Sequence, residues 1–175
     1  MHMETILEIL KYILPALIVF LTAYFSIRIL IKNDQRKRDY EIIMKNKQVV
    51  TPIRLQAYER LTLLLERISP DALVMRISKD NLTVKQLQNQ LLQTIRAEFD
   101  HNMSQQIYVS PQAWEVVKSA RENIVKLINT TAQGLKPDEP AIKFSRALIE
   151  KVMEQERSSS KMAIDYLKKE VRSFY

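Results

Sequence analysis

One uninterrupted apolar stretch near the N-terminus limits what this chain can fold into. The twenty residues from Tyr12 to Ile31 contain a single charged residue, Arg28. A helix rises about 1.5 Å per residue, so this stretch is long enough to cross a hydrocarbon layer of roughly 30 Å. We therefore expect a transmembrane helix over residues 12–32, preceded at residues 1–11 by a short extracytoplasmic tail and the start of the helix.

A cleaved signal peptide is the alternative interpretation of the same stretch. Such peptides carry basic residues before an apolar core of about 7–15 residues, and small residues at the cleavage site. Here Glu4 and Glu8 precede the apolar run, and Arg28 lies where small residues would be needed. These features favour a retained membrane anchor.

Basic residues gather on the C-terminal side of the apolar run. This flank contains Arg28, Lys32, Arg36, Lys37 and Arg38. On the other side, Lys11 is the one Lys or Arg. Because Lys and Arg are enriched on the cytoplasmic side of membrane spans, the N-terminus is predicted to lie outside and the rest of the chain in the cytoplasm. The five flanking side chains are predicted to contact lipid headgroups.

The near absence of glycine disfavours several classes of domain. Gly134 is the only glycine, and the chain has no cysteine. Tight hairpins and phosphate-binding loops depend on glycine, so a nucleotide-binding fold and a multi-hairpin β domain are not expected. Without cysteine the chain has no disulfide framework, thiolate metal site or thiol nucleophile.

The net charge of +7 is distributed unevenly along the chain. Residues 33–60 hold seven basic and four acidic residues, and residues 141–175 hold eight and five, a surplus of three in each segment. Residues 61–140 hold nine of each. The balanced middle argues against a nucleic-acid groove there. The basic segments suit an anionic surface, either lipid headgroups or RNA such as that of the ribosome.

The polar part of the chain has helical periodicity interrupted by short breaks. Residues 33–50 contain no Gly or Pro and are predicted to continue the membrane helix as a stalk. Thr51–Pro52, Ser69–Pro70 and Ser110–Pro111 each combine an N-cap residue with proline at the first helical position. This pairing predicts a new helix at each place, and Thr83 predicts another.

The C-terminal third follows the same pattern. Gly134 is expected to be the C′ residue that follows a helix. A last helix is expected from about Pro140 to Ser173, with a kink or break at Ser158–Ser160. The best strand candidate, Ile107–Val109, is expected to be an extended loop. Residues 51–175 are therefore predicted to form an all-α cytoplasmic domain, an antiparallel bundle of about four helices.

Residues suited to catalysis or metal binding are scarce. The two histidines are His2, in the tail, and His101, which follows acidic residues. A metal site needs several converging ligands, and no such motif occurs. We therefore assign no catalytic, cofactor-binding or metal-binding residue and interpret His101 as a helix-terminal residue that bonds a free carbonyl. Glu59 and Glu66 are expected to form solvated ion pairs.

Residues 97–114 are the densest mixture of aromatic and hydrogen-bonding side chains in the polar part of the chain. The candidate interaction residues are Asp100, His101, Asn102, Gln105, Gln106 and Tyr108. Loops on rigid bundles often carry binding residues. The alternative is structural: the polar side chains satisfy helix ends, and Trp114 lies in the core. A second candidate surface is the apolar stripe from Ile164 to Phe174, which suits either another chain or its own bundle.

Three segments carry a family resemblance. They are LPALIVFLTAYF (Leu14–Phe25), LQAYERLTLLLERISP (Leu55–Pro70) and EFDHNMSQQIYVSPQAW (Glu98–Trp114). In these segments the chain resembles an uncharacterised group of bacterial single-pass membrane proteins of similar length. The resemblance implies a small membrane-anchored helical protein and brings no known reaction, cofactor or catalytic residue.

These features favour a non-enzymatic protein of the bacterial inner membrane whose cytoplasmic helical domain binds another protein, as a scaffold or accessory subunit. The expected partners are membrane lipid and a membrane or cytoplasmic protein, with a homo-oligomer as a further option. Nucleic acid is not expected, apart from the alternative function, in which the basic segments bind lipid headgroups, the ribosome or other RNA.

Overall fold

The computed structural model describes residues 2–78, 81–155 and 157–174, and within them all side chains except those of residues 2–10, 12, 16, 46 and 47. The helices are α1 (His2–Arg67), α2 (Pro70–Ile77), α3 (Val84–Asn102), a 3₁₀ helix (Met103–Ile107), α4 (Pro111–Gln133), α5 (Ala141–Glu154) and α6 (Ser159–Arg172). These described ranges contain no β-strand, and the prediction of an all-α fold is confirmed.

Residue contacts divide the chain into two compact units, one ending at Val50 and the other beginning at Thr51. We call residues 2–50 the anchor unit and residues 51–174 the bundle unit. Helix α1 contributes to both, and Thr51–Arg67 is its bundle part.

The anchor unit contains the apolar stretch seen in the sequence. Its most apolar window of 18 residues has a mean hydropathy of 2.1, and none of that window is buried within the protein. By length and composition, α1 is the one helix in the described part of the chain that could cross a membrane. The helix also continues through residues 33–50, as predicted for the stalk.

The prediction that one helix ends and another begins at Thr51–Pro52 is wrong. The backbone is helical through both residues, and α1 continues to Arg67. An N-cap contributes only about 1 kcal/mol, whereas a break leaves several N–H and C=O groups without helical partners on each side. Pro52 removes one helical hydrogen bond and its ring crowds the carbonyl of Gln48, yet α1 continues through it to Arg67.

The core of the bundle unit is built from one apolar face of each helix. The most completely buried large side chains are Tyr58, Phe144, Leu61, Leu64, Leu65, Ile68, Leu73, Leu87, Leu91, Ile95, Ile128 and Leu148. All except Ile68, which lies in the turn between α1 and α2, come from the bundle part of α1 and from α2 to α5. Helix α6 adds Ala163, Ile164 and Leu167. The spacing of three and four residues along each helix, read from the sequence, therefore marks the buried faces.

Side-chain caps begin three of these helices. The Thr83 hydroxyl accepts a hydrogen bond from the N–H of Gln86, whose side chain accepts one from the Thr83 N–H, which completes a capping box. The Ser110 hydroxyl accepts from the N–H of Ala113, and the Ser158 hydroxyl from that of Lys161. The predicted starts at Thr83 and Ser110 are confirmed.

The C-terminal third forms two helices. Helix α5 ends at Glu154, and α6 begins at Ser159 with Ser158 as its cap, so the predicted break is confirmed. Helix α5 is tied to the start of α3, because the Val84 N–H donates to the Glu139 carbonyl and the Ala141 N–H donates to the Leu82 carbonyl.

The expectation of an extended loop at Ile107–Val109 is wrong. Ile107 ends the 3₁₀ helix, and the N–H of Tyr108 donates to the Gln105 carbonyl at 3.0 Å. Val109 is buried against the core. Its burial turns the chain inward, and this tertiary contact outweighs the local preference of β-branched residues for extended backbone.

Candidate functional site

Tyr58 lies at a junction of three elements of the bundle unit. It belongs to α1 and is 2 % exposed. Its hydroxyl donates a hydrogen bond to Oε1 of Glu170 on α6 at 2.9 Å, and accepts one from the N–H of Ser110, the cap of α4, at 3.2 Å. A single phenol oxygen therefore joins the first, fourth and last helices.

Burial affects the protonation of the Tyr58 hydroxyl at this junction. Burial raises the pKa of the Tyr58 phenol above its usual value, the Ser110 N–H opposes the shift, and the Glu170 carboxylate adds to it. Tyr58 is consequently held as the neutral donor that the carboxylate needs. The second carboxylate oxygen of Glu170, Oε2, is buried with no partner among the described residues.

Aromatic and cationic contacts close the end of the bundle beside Tyr58. The ring of Phe174 packs edge-on against that of Tyr58, with centroids 5.4 Å apart. The guanidinium of Arg54 lies over the Phe174 ring at 4.4 Å, and its Nε–H donates to the Tyr108 carbonyl at 3.2 Å. Such contacts hold the end of α6 and the 3₁₀ segment against α1.

An open groove runs between the bundle part of α1 and α6, next to this junction. Its volume is about 580 Å³, and the lining residues are Leu55, Tyr58, Glu59, Thr62, Leu63, Leu167, Lys168, Val171 and Arg172. Leu63, which lines the groove from α1, is 61 % exposed. Exposed Lys168 and Arg172 line the groove from α6, and exposed Glu59 lines it from α1.

Two other depressions on the bundle unit are more polar. One of about 590 Å³ lies between α3 and α4, and most of its lining side chains are charged or polar. Among them, Arg121 already lies over the ring of Phe99 at 4.3 Å. The other holds about 270 Å³ and includes Ser158 and Ser159 at the start of α6. The α1–α6 groove is the apolar site of the three.

The candidate interaction residues of segment 97–114 divide into exposed and buried sets. The exposed residues are Asp100, His101, Gln106 and Tyr108, and the buried ones are Asn102 and Gln105. The Asn102 amide donates to the Glu98 carbonyl, and that of Gln105 donates to the Ser104 hydroxyl.

Two of the three aromatic residues of this segment, Phe99 and Trp114, lie in the core. Trp114 is buried and stacks on Phe99 with centroids 5.3 Å apart. Glu98, only partly exposed, pairs with Arg67 at 2.7 Å and with Arg76 at 3.8 Å. The structural interpretation of the segment thus accounts for these buried and paired residues.

His101 lies exposed on the last turn of α3. Within the described residues, no three His, Cys, Asp or Glu side chains come together as they would around a metal ion. Glu59 and Glu66 are both exposed on α1. His2 lies among the residues whose side chains are not described.

The five basic residues predicted at the membrane interface are all exposed on α1. Three of them, Arg28, Lys32 and Arg36, are spaced by four residues and so share one face of the helix. Arg38 faces elsewhere and donates hydrogen bonds to the carboxylate of Asp34, one turn earlier. This contact lowers the pKa of the Asp34 carboxyl below its usual value.

The apolar stripe from Ile164 to Phe174 packs largely within its own bundle. Ile164 and Leu167 are buried, and Val171 and Phe174 are partly buried against the core. Of the two interpretations of this stripe, packing within the bundle accounts for its contacts. Val171 also reaches the groove.

Sequence reasoning missed the groove residues. One pattern could have pointed to them: Leu63, Leu64 and Leu65 are consecutive, and three consecutive helical side chains cover about 200° of the surface. One of the three must lie outside the buried face, and it is Leu63. The partner helix α6 could not be found this way, since nothing local pairs Tyr58 with Glu170.

The chain matches one family model over residues 4–174, a family of unknown function designated DUF7935. No curated protein and no solved structure matches it. The match covers nearly the whole sequence, including both the apolar stretch and the helical bundle, and agrees with the predicted membership of an uncharacterised family. The chain belongs to the family DUF7935, whose function is unknown.

Proposed function

We propose that this protein is a non-enzymatic, membrane-anchored scaffold or accessory subunit whose helical domain binds another protein. The observation that carries the proposal is the apolar groove between α1 and α6, with Leu63 exposed at its edge. Exposed apolar side chains beside charged ones are typical of sites that bind a partner helix.

The proposed location is the bacterial inner membrane, with the N-terminus outside and the bundle unit in the cytoplasm. It is supported by the apolar window of α1 and by the surplus of Lys and Arg that follows it. Protease added to intact spheroplasts should therefore leave the bundle unit uncut. Digestion of the bundle unit there contradicts the orientation, and recovery of the chain in the supernatant after ultracentrifugation contradicts the anchor.

The occupant we propose for the groove is an amphipathic helix of another protein. Leu55, Leu63 and Val171 supply apolar surface for its buried face. Lys168 and Arg172 are one helical turn apart, so they match two acidic residues spaced by four on the partner. Glu59 on the opposite wall favours a basic residue there.

The test places a photo-crosslinking amino acid at Leu63 of the full chain in cells that naturally contain it. We expect one adduct of discrete mass at this position and none from the matched control at Met75, which is 84 % exposed on α2, away from the groove. The double variant Lys168→Glu, Arg172→Glu should lower the adduct yield at least fivefold. Lys161→Glu, exposed on α6 outside the groove, should leave the yield unchanged.

Three outcomes contradict this proposal. The first is the absence of any adduct at Leu63 in a chain that remains in the membrane. The second is an equal adduct at Met75, which indicates nonspecific capture. The third is an adduct composed of two copies of this chain alone, which assigns the groove to self-association.

A second candidate function is binding of anionic lipid headgroups by the basic flank of α1. The observation that favours it is the alignment of Arg28, Lys32 and Arg36 on one exposed face. Each basic residue near an anionic surface contributes roughly 1 kcal/mol at low salt.

A fluorophore attached to a cysteine at Gln35 tests this candidate in lipid nanodiscs. Quenching by a headgroup-attached quencher should rise when phosphatidylglycerol replaces part of the phosphatidylcholine and should fall with added salt. Replacing the three basic residues by Gln should remove the effect. Equal quenching in both lipids contradicts this candidate function. If added RNA, and not anionic lipid, changes the fluorescence, the basic flank binds nucleic acid instead.

A further inference from the structure

A second groove of the bundle unit lies between α3 and α4, with a volume of about 590 Å³. Its lining residues extend from Leu92 to Arg96 on α3 and from Arg121 to Thr130 on α4. None of them lines the groove between α1 and α6, so the two grooves are separate sites. We call the second one the α3–α4 groove.

Two contacts show how the helices lie along this groove. The guanidinium of Arg121 lies over the Phe99 ring at 4.3 Å, and the side-chain amide of Gln88 donates to that of Asn129 at 2.9 Å. The later residue of α3 therefore contacts the earlier residue of α4, so the two helices are antiparallel. Residues 121 and 129 are about 12 Å apart along the axis of α4, enough to hold about two turns of a bound helix.

The floor of the α3–α4 groove is apolar and only partly covered. Ile95 is buried, whereas Leu92 and Val125 are partly buried against the core and line the groove with the rest of their surface. An apolar floor between polar walls suits an amphipathic helix, because the helix can bury its apolar face there and keep its polar residues at the rim.

The walls of the groove carry a surplus of positive charge. Arg96 lies on the α3 wall, and Arg121 and Lys126 lie on the α4 wall. No acidic side chain that the structure describes forms an ion pair with any of the three. Glu122 is the one acidic residue among those lining the groove, so the walls hold two positive charges in excess. This surplus is local, since residues 61–140 as a whole are balanced.

These charges favour an acidic protein helix over a nucleic acid. Basic side chains on both walls are complementary to acidic residues on both flanks of a bound apolar face. A phosphate backbone is negative throughout, so it would be repelled by Glu122 and would leave the apolar floor unused. A protein helix can place a basic residue opposite Glu122 and acidic residues elsewhere.

We propose that the α3–α4 groove binds an acidic amphipathic helix of another protein. The inference rests on the proposed protein-binding function and extends it to a second site. With two separate grooves the bundle unit can hold two partner helices at once. A scaffold requires this capacity, whereas an accessory subunit with one groove binds a single partner.

The test uses the purified full chain in phosphatidylcholine nanodiscs, with a photo-crosslinking amino acid at Leu92 or, in a second variant, at exposed Thr130. The probes are three designed amphipathic peptides that share one apolar face and carry Glu, Lys or Gln on its flanks. The Glu peptide should give at least fivefold more adduct than either of the others. Gln90, exposed about 200° around α3 from Leu92, is the control position and should give none.

Reversal of the wall charges separates recognition from structural damage. With Arg96→Glu and Lys126→Glu together, the Lys peptide should give at least fivefold more adduct than the Glu peptide. The matched pair Lys85→Glu and Lys136→Glu changes exposed residues outside the groove by the same charge and should leave the original preference intact. Damage to the fold lowers the yield of all three peptides and does not reverse their order.

Four results would overturn the proposal: no adduct with the Glu peptide at either position, equal yields from the three peptides, an unchanged preference after charge reversal, and more adduct with an RNA oligonucleotide than with the Glu peptide. The last result assigns the groove to nucleic acid. The adduct at Leu63 reports on the other groove, so either proposal can fail while the other stands.

Discussion

The hydroxyl of Tyr58 donates a hydrogen bond to the carboxylate of Glu170, a residue 112 positions later in the sequence. The pair links α1, which carries the apolar stretch, to the last helix of the bundle. One side of the groove is α1 and the other is α6, so the same contact helps to set the groove's width. A change at this pair is therefore expected to affect both the stability of the bundle unit and the shape of the groove.

Replacing Tyr58 by Phe should destabilise the bundle unit by about 1–3 kcal/mol, because a buried carboxylate loses its hydrogen-bond donor. Urea unfolding of the full chain in mild detergent, followed by the fluorescence of Trp114, measures the change. Trp114 is the only tryptophan, so its emission reports on the bundle alone. Tyr108→Phe is the matched control, since its ring is partly exposed, and it should change stability by less than about 0.5 kcal/mol.

A double-mutant cycle shows whether the effect belongs to the pair. Glu170→Gln alone should also destabilise, and the two changes together should cost less than their sum. Additive losses would mean that Tyr58 acts through its ring packing on Phe174 and not through Glu170.

The raised pKa of Tyr58 predicts a loss of stability at high pH. A phenol whose pKa is higher in the folded state contributes its full stabilisation below its unfolded pKa of about 10. The contribution is lost as the pH rises toward the folded pKa. The stability difference between the wild type and Tyr58→Phe should therefore shrink from pH 9 to pH 11 in the same urea experiment. A constant difference contradicts a raised pKa.

Local features of the sequence predicted much of this fold, but they could not predict contacts between residues far apart in the sequence. The caps at Thr83 and Ser110 bond N–H groups three residues away, so the residues next to them in the sequence determine their geometry. Apolar periodicity marked the buried faces for the same reason. The Tyr58–Glu170 pair depends on how α6 packs against α1, and no pattern within either helix specifies its partner.

The candidate site, the groove between α1 and α6, was the feature hardest to predict from the sequence. The composition of residues 97–114 indicated an interaction loop, yet Trp114 and Asn102 are buried there. The groove is recognisable only when two distant helices are placed side by side. At Thr51–Pro52 the local preference for a break was real, but the continuity of α1 prevailed.

Removal of a helix cap should have a measurable cost. Ser110→Ala is expected to destabilise the bundle unit by about 1 kcal/mol, because the N–H of Ala113 loses its acceptor. Ser119→Ala on the exposed face of α4 is the control and should be neutral or slightly stabilising, since alanine favours helix. Comparable destabilisation by both changes would contradict a specific capping role.

The stacked pair Phe99–Trp114 should be sensitive to the loss of an aromatic ring. Phe99→Leu keeps an apolar side chain but removes the stacking and the contact with Arg121. The pair contributes about 0.5–1.5 kcal/mol and the cation–π contact about 0.5–1 kcal/mol, so a loss of about 1–2.5 kcal/mol is expected.

Thermal unfolding of the full chain in detergent, followed by circular dichroism, measures the loss without relying on the altered tryptophan environment. Arg121→Gln separates the two contributions and should account for the smaller share. A loss with Arg121→Gln equal to that with Phe99→Leu would assign the whole effect to the cation.

Gly134 provides a final prediction: it directly follows the end of α4, as expected, without the left-handed backbone common at such a position. Helices that end at glycine often place it in the left-handed conformation, which other residues adopt at a cost. Here φ is −80° and ψ is 1°, and the N–H donates to the Thr131 carbonyl in a tight last turn. A Cβ added at this position would lie 3.6 Å from that carbonyl oxygen, an ordinary contact.

Gly134→Ala should therefore stabilise the bundle unit by about 0.4–1 kcal/mol, because alanine restricts the unfolded chain without straining the folded one. The same urea titration measures the gain. Gly134→Asn is the matched comparison: asparagine tolerates left-handed backbone better than alanine. Destabilisation by alanine but not by asparagine would indicate a left-handed residue at the end of α4, contrary to the observed turn.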